Sequence, residues 1–175
     1  MRSTTITMKN IIISLLIFAV SPVFAADDVK VVEAKDLAAI GKQADNSRLP
    51  ILLMFSAEHC TYCEQLEEDF LKPMLRSGNY KDKVLIRKVR IDGYGKVRDF
   101  AGKQVAASEL ADRYNVFVTP TVVFLDGDGV ELAKKRVGLT TPDYYGSYLD
   151  QSIDEALDIL RRNKPLRVKL SALGE

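Results

Sequence analysis

Pro50-Ile51-Leu52-Leu53-Met54-Phe55-Ser56-Ala57-Glu58-His59-Cys60-Thr61-Tyr62-Cys63-Glu64-Gln65-Leu66-Glu67-Glu68-Asp69-Phe70-Leu71 is the stretch that decides the fold. Ile51 to Ser56 is nearly free of polarity and too short for a helix, so it predicts a strand buried on both faces. After Cys60 the period changes. Cys63, Leu66, Phe70 and Leu71 recur at the three-to-four spacing of a helix, with acids between them. Two thiols therefore stand where a buried strand hands over to a helix N-terminus. Free N–H groups and the helix dipole favour an anion there, so Cys60 is expected to ionise more readily than an ordinary cysteine, with Cys63 within its reach.

Around this stretch the chain is ordinary globular material. Its 175 residues are 47% hydrophobic and 28% charged, which fits one domain. Lysine and arginine number 25 against 24 acids. Residues 1–25 hold Arg2 and Lys9 and no acid, which leaves 23 against 24 in the remainder. No basic helix and no aromatic–basic alternation appears, so nothing points to nucleic acid.

Residues 1–25 read as an export signal. Arg2 and Lys9 supply the positive region, Ile11 to Val20 the apolar region, and the small-residue end point is Ala25. Met8 is an alternative initiator that leaves a shorter signal of the same kind. The apolar run, closed by Ser21-Pro22, falls short of the roughly 20 residues needed to span a membrane. The expectation is a mature chain from Ala26 in an oxidising compartment, a bacterial periplasm.

Cys60 and Cys63 are the only cysteines. A small exported domain in need of staples would carry several pairs. So short a loop also yields less than the ~3 kcal/mol of a fifteen-residue one. A structural zinc site takes four ligands, and His59 is the only histidine. Binding of cuprous ion by the thiols and His59 in an exported copper carrier stays open as an alternative.

The remaining elements follow from pattern. Asp36 caps a helix with Leu37, Ile40 and Ala44 on one face, ended by Asp45-Asn46-Ser47. The helix after Cys63 is expected to end at Leu71, where Lys72-Pro73 breaks or kinks it. Val84 to Ile91 reads as a strand. Residues 93–106, with three glycines, read as a long loop that either shapes a partner-binding surface or is a solvated insertion. Ser108 is the expected cap of a helix to Tyr114 that turns Leu110 and Ala111 inward. The strands 121–125 and 130–137, joined by Asp126-Gly127-Asp128-Gly129, form an antiparallel hairpin. That acidic turn is no calcium loop, because Val137 stands where a bidentate glutamate is required. Thr141-Pro142-Asp143 starts a helix with Tyr145, Leu149, Ile153, Ala156, Leu157 and Leu160 on one face, expected to end at Arg162. Residues 164–175 read as a tail.

Ile51 to Cys63 resembles the active-site segment of the thioredoxin-like proteins. Val118-Thr119-Pro120-Thr121-Val122-Val123-Phe124 resembles that family's strand beginning with a cis-proline. The likeness runs from about Pro50 to Arg162. It implies an α/β thioredoxin-like fold over residues 26–163, a mixed central sheet flanked by helices. It implies an exported thiol–disulfide oxidoreductase in which Cys60 attacks and Cys63 resolves. Thr119 and Pro120 would receive an extended substrate, with Tyr62 and His59 at the same surface. No cofactor or resident metal is implied. The partners would be protein disulfides and an upstream electron donor, for which a membrane-embedded carrier is one candidate.

The departures from the family are informative. Met54 stands where thioredoxin has the buried aspartate that helps to deprotonate the resolving cysteine, and Lys88 or Glu58 is the available substitute. His59 replaces the tryptophan before the first cysteine and could tune Cys60 near neutral pH. Strong exported oxidases place histidine second within the pair, whereas Tyr62 and Thr119 resemble the isomerases, which carry an added dimerisation region. A monomeric reductant is the first expectation. Weak oxidase or isomerase activity is the alternative.

Overall fold

The computed structural model describes residues 29–93 and 95–171. The export signal expected over 1–25 lies outside the described residues, as do residues 172–175 of the expected tail.

A four-stranded sheet with the order β2-β1-β5-β6 forms the centre. β1 (Ile51–Ser56) is buried along its whole length, as a strand sandwiched between layers requires. It runs parallel to β2 (Leu85–Arg90) and antiparallel to β5 (Thr121–Leu125), which pairs antiparallel with β6 (Glu131–Val137). Alternation along β1 divides the core. Leu52 and Met54 join Leu66, Met74, Tyr145, Leu149 and Ile153 on one face. Ile51, Leu53 and Phe55 join Leu37, Ala44, Leu110 and Ala111 on the other. Helices thus cover both faces of a mixed sheet, the α/β architecture read from the sequence.

α1 (Leu37–Ser47) starts as expected: the Asp36 carboxylate accepts from Ala39 N–H at 2.9 Å. Four expectations are corrected. The helix after Cys63 does not break at Lys72-Pro73. α2 (Thr61–Leu66) passes through a π-helical turn, Glu67–Leu71, into α3 (Lys72–Ser77). Proline lacks an N–H and crowds the carbonyl four residues back. The chain meets this with a wider turn, in which Lys72 N–H donates to the Glu67 carbonyl.

Residues 93–106 are not a plain loop. β3 (Lys96–Arg98) and β4 (Gln104–Ala106) form a hairpin that buries Val97 and Val105 against the α1 and α4 side of the core. Arg98 N–H donates to Lys35 carbonyl at 3.0 Å, and Arg98 sits 3.6 Å from Asp36. This hairpin covers core. Ser108 does not cap α4 (Ala107–Arg113), because Ala106 leaves β4 extended and is itself the N-cap residue. α5 (Pro142–Ser171) runs past Arg162, and Pro165 removes one backbone bond without ending it. In the β5–β6 turn, Asp126 Oδ1 accepts from Asp128 and Val130 N–H at 3.0 and 2.8 Å, which is turn chemistry.

Candidate functional site

The C-terminal end of β1 leads through Ala57-Glu58-His59 to α2. His59 has φ 55°, a left-handed conformation that a residue with a side chain adopts at a cost of about 1–2 kcal/mol. Asp92, just beyond β2, holds this turn by accepting from Glu58 N–H at 2.6 Å. The turn makes Cys60 the N-cap residue of α2. Its sulfur accepts from Cys63 N–H at 3.2 Å, and its carbonyl takes Cys63 and Glu64 N–H at 2.9 and 3.0 Å.

Cys60 and Cys63 are joined as a disulfide, with 5.2 Å between their Cα atoms. They differ in access. Cys60 is partly exposed, whereas Cys63 is 2% exposed and lies in the core cluster beneath it. The strand pairing then brings in the second segment. With Phe55 in register with Thr121, the residues before β5 arrive beside the N-terminus of α2. Thr119 Oγ1 donates to Cys60 Sγ at 3.6 Å, the Thr119–Pro120 peptide is cis, and Pro120 carbonyl accepts from Gly138 N–H at 2.7 Å.

Of the residues singled out in the sequence, Cys60, Cys63, Thr119 and Pro120 therefore converge. Tyr62 and His59 stand exposed at the same end of the molecule, Tyr62 at 62%. Sequence reasoning gave no site role to Phe117 and Val118, exposed at 80% and 52% directly before Thr119. Their signal was a pair of apolar side chains in a loop, and no periodicity says which way those point.

The two candidates for proton handling separate. Glu58 is exposed, and its backbone N–H is held by Asp92. Lys88 stands in register with the fully buried Met54, and its Nζ lies 2.8 Å from both carboxylate oxygens of Glu67, an acid to which the sequence reading gave no role. Among the described residues no three His, Cys, Asp or Glu side chains come together as a metal-holding group.

Over residues 37–153 the chain matches the family described as a thioredoxin-like domain. A comparison with curated proteins finds no match. Among solved structures the chain is similar to thioredoxin from Fasciola hepatica, at 20% identity over 72% of this chain and 99% of that one, with a TM-score of 0.49. It is similar to thioredoxin O2 from Arabidopsis thaliana in the oxidised state, at 28% identity over 69% and 92%, with a TM-score of 0.45. The third is the C-terminal domain of Neisseria meningitidis DsbD in the oxidised form, at 18% identity over 66% and 90%, with a TM-score of 0.46.

Proposed function

The chain belongs to the thioredoxin-like domain family, and from that membership we propose that it is an exported thiol–disulfide oxidoreductase that reduces disulfides in protein partners. One observation carries the reading: the two sulfurs are bonded to each other at a helix N-terminus, one within reach of a partner and the other buried behind it. In the reduced protein Cys60 attacks, because two donors, Cys63 N–H and the Thr119 hydroxyl, already converge on its sulfur and favour the thiolate. Cys63 then displaces the partner from Cys60 and closes the disulfide. Tyr62, Phe117 and Val118 offer apolar surface beside Cys60 for the partner chain.

The direction is reducing. Thr61 and Tyr62, between the cysteines, carry no positive charge, so the thiolate is stabilised only moderately. We place the reduction potential at roughly −270 to −180 mV, away from the roughly −120 mV of a strong oxidant. The protein acts as a monomer, residues 1–25 direct its export, and an upstream dithiol donor returns it to the reduced state.

Trapping tests the reading. Cys63→Ser, expressed in the cell, is expected to accumulate mixed disulfides through Cys60, and Cys60→Ser to accumulate none. The reverse pattern exchanges the two roles, and no trapped partner with either variant refutes the proposal. Mass spectrometry of the purified protein tests export, with the mature N-terminus expected near Ala26. Equilibration with glutathione tests direction, since a potential close to a strong oxidant's leaves an oxidase.

A further inference from the structure

Resolution of a mixed disulfide needs Cys63 as a thiolate, yet Cys63 sits at 2% exposure in an apolar cluster, where the charged form of a thiol is disfavoured. Its proton needs an acceptor that the strand beneath does not supply. β1 presents Leu52 and Met54 to this cluster, and β5 presents Val122 and Phe124. α5 presents Tyr145, a buried phenol pushed up to about 12 by desolvation. β2 presents Lys88, on the same face as Ile86 and in register with Met54. The helix itself presents Glu67.

Glu67 follows Cys63 by one helical turn, and its N–H donates to the Cys63 carbonyl. Side chains at that spacing are neighbours, with Cβ atoms about 5–6 Å apart. The Glu67 side chain is only 13% exposed, and both its carboxylate oxygens lie 2.8 Å from Lys88 Nζ, itself 24% exposed. An ion pair drawn this far out of water is a poor source of stability compared with apolar side chains of similar volume, so a purely structural role accounts for it weakly.

We propose that Glu67 accepts the proton of Cys63, and that Lys88 is a positioning residue that holds the carboxylate in place. The inference rests on the dithiol reading above. With a partner bound to Cys60 as a mixed disulfide, the Cys63 S–H bond breaks and the proton passes to a Glu67 oxygen. The Cys63 sulfur attacks Cys60 Sγ. The bond between Cys60 and the partner breaks as the Cys60–Cys63 bond forms, and the leaving thiolate takes up a proton from Glu67 or from water. Over the full exchange two electrons and two protons move from the dithiol to the partner disulfide.

Stopped-flow reaction of the reduced full-length chain with one equivalent of dithiobis(nitrobenzoate) tests this. The first coloured thiolate released reports attack by Cys60, and the second reports resolution by Cys63. In Glu67→Gln the ratio of second-phase to first-phase rate is expected to fall on the order of a hundredfold at neutral pH. The acid limb of the second-phase pH profile should disappear with it. Glutamine keeps an oxygen for Lys88, so the fold is retained. Glu67→Asp should recover part of the ratio, and Lys88→Met should lower it with the carboxylate still present. A normal first phase with an unchanged ratio and pH profile in Glu67→Gln overturns the role of Glu67 alone. No first phase in the wild type, or an unchanged one in Cys60→Ser, overturns the dithiol reading and this inference together.

Discussion

Replacing Thr119 by valine removes one of the two hydrogen-bond donors on Cys60 Sγ while keeping a β-branched side chain of the same shape. The bond spans 3.6 Å, within range for sulfur, and comes from a residue 59 positions away in sequence. Hydrogen bonds to charged groups contribute about 1.5–3 kcal/mol. The length of this bond and the partial exposure of Cys60 argue for the low end or somewhat below it, about 1 kcal/mol. At about 1.4 kcal/mol per pH unit, the midpoint of thiolate formation should move up by roughly 0.7 unit. The reduced form loses the same stabilisation, so the potential should become more negative by roughly 20 mV, taking 30 mV per 1.4 kcal/mol for a two-electron couple. Thiolate absorbance against pH, with alkylation rates alongside, gives the first quantity, and equilibration with glutathione gives the second. Thr119→Ser keeps the hydroxyl and should stay near the wild type. A midpoint unmoved in Thr119→Val, in a protein that melts normally, refutes the claim that this hydroxyl holds the thiolate.

Two further predictions concern stability. The Tyr145 hydroxyl is buried and finds no hydrogen-bond partner among the described residues, so Tyr145→Phe should leave stability unchanged or raise it by up to about 1 kcal/mol. For a chain of this size that corresponds to about 2–4 °C in Tm, and a clear loss on calorimetry would show that the hydroxyl has a partner. Asp99, held by the Arg113 guanidinium at 2.7 Å and by Lys103 N–H at 2.8 Å, has its carboxyl pushed below the ordinary range, the Arg113 bond contributing most. A depressed folded-state value gives stability that is present above the unfolded-state value of about 3.9 and lost as pH falls through the folded-state value. Denaturant titrations across that acid range should show the loss in the wild type and a flatter dependence in Asp99→Asn, and equal slopes would contradict it.

The parts of the fold that the sequence disclosed are those in which one short pattern decides the structure. Five apolar residues running into Ser56 cannot be a half-solvated strand, and the switch to helical spacing at Cys63 leaves only a strand-to-helix turn between them. The helix through Pro73 was harder, because a proline signals a break until the neighbouring turn is seen to widen around it. β3 and β4 have three residues each, too few alternations to register, and what makes them a hairpin is the burial of Val97 and Val105 against residues far along the chain. Phe117 and Val118 read as apolar, but their exposure is a property of the assembled end of the sheet. Glu67 stood in a run with Glu64, Glu68 and Asp69, the usual mark of a solvated face. Its difference from them lies in Lys88, 21 residues on, and no local pattern carries that.

Strand register explains why these distant residues meet. β1 ends beside Cys60 and β5 begins beside Thr119, so their antiparallel pairing, with Phe55 against Thr121, sets a donor from one segment on the sulfur of the other. The parallel pairing of β1 with β2 puts Lys88 level with Met54, which shares the buried cluster of Cys63. Side chains alternate along a strand, so a slip of one residue in β2 would turn Lys88 to the opposite face and Val89 toward Glu67. The burial of Ile86 on one side and Val89 on the other opposes that slip, because it would expose one apolar set and bury a charge. The same burial that stabilises the sheet therefore fixes the ammonium group opposite the carboxylate, and the carboxylate one turn from Cys63. In the fold of this chain, a lysine on β2 and a glutamate on the helix can bring a charge pair to a place where β1 carries only a methionine.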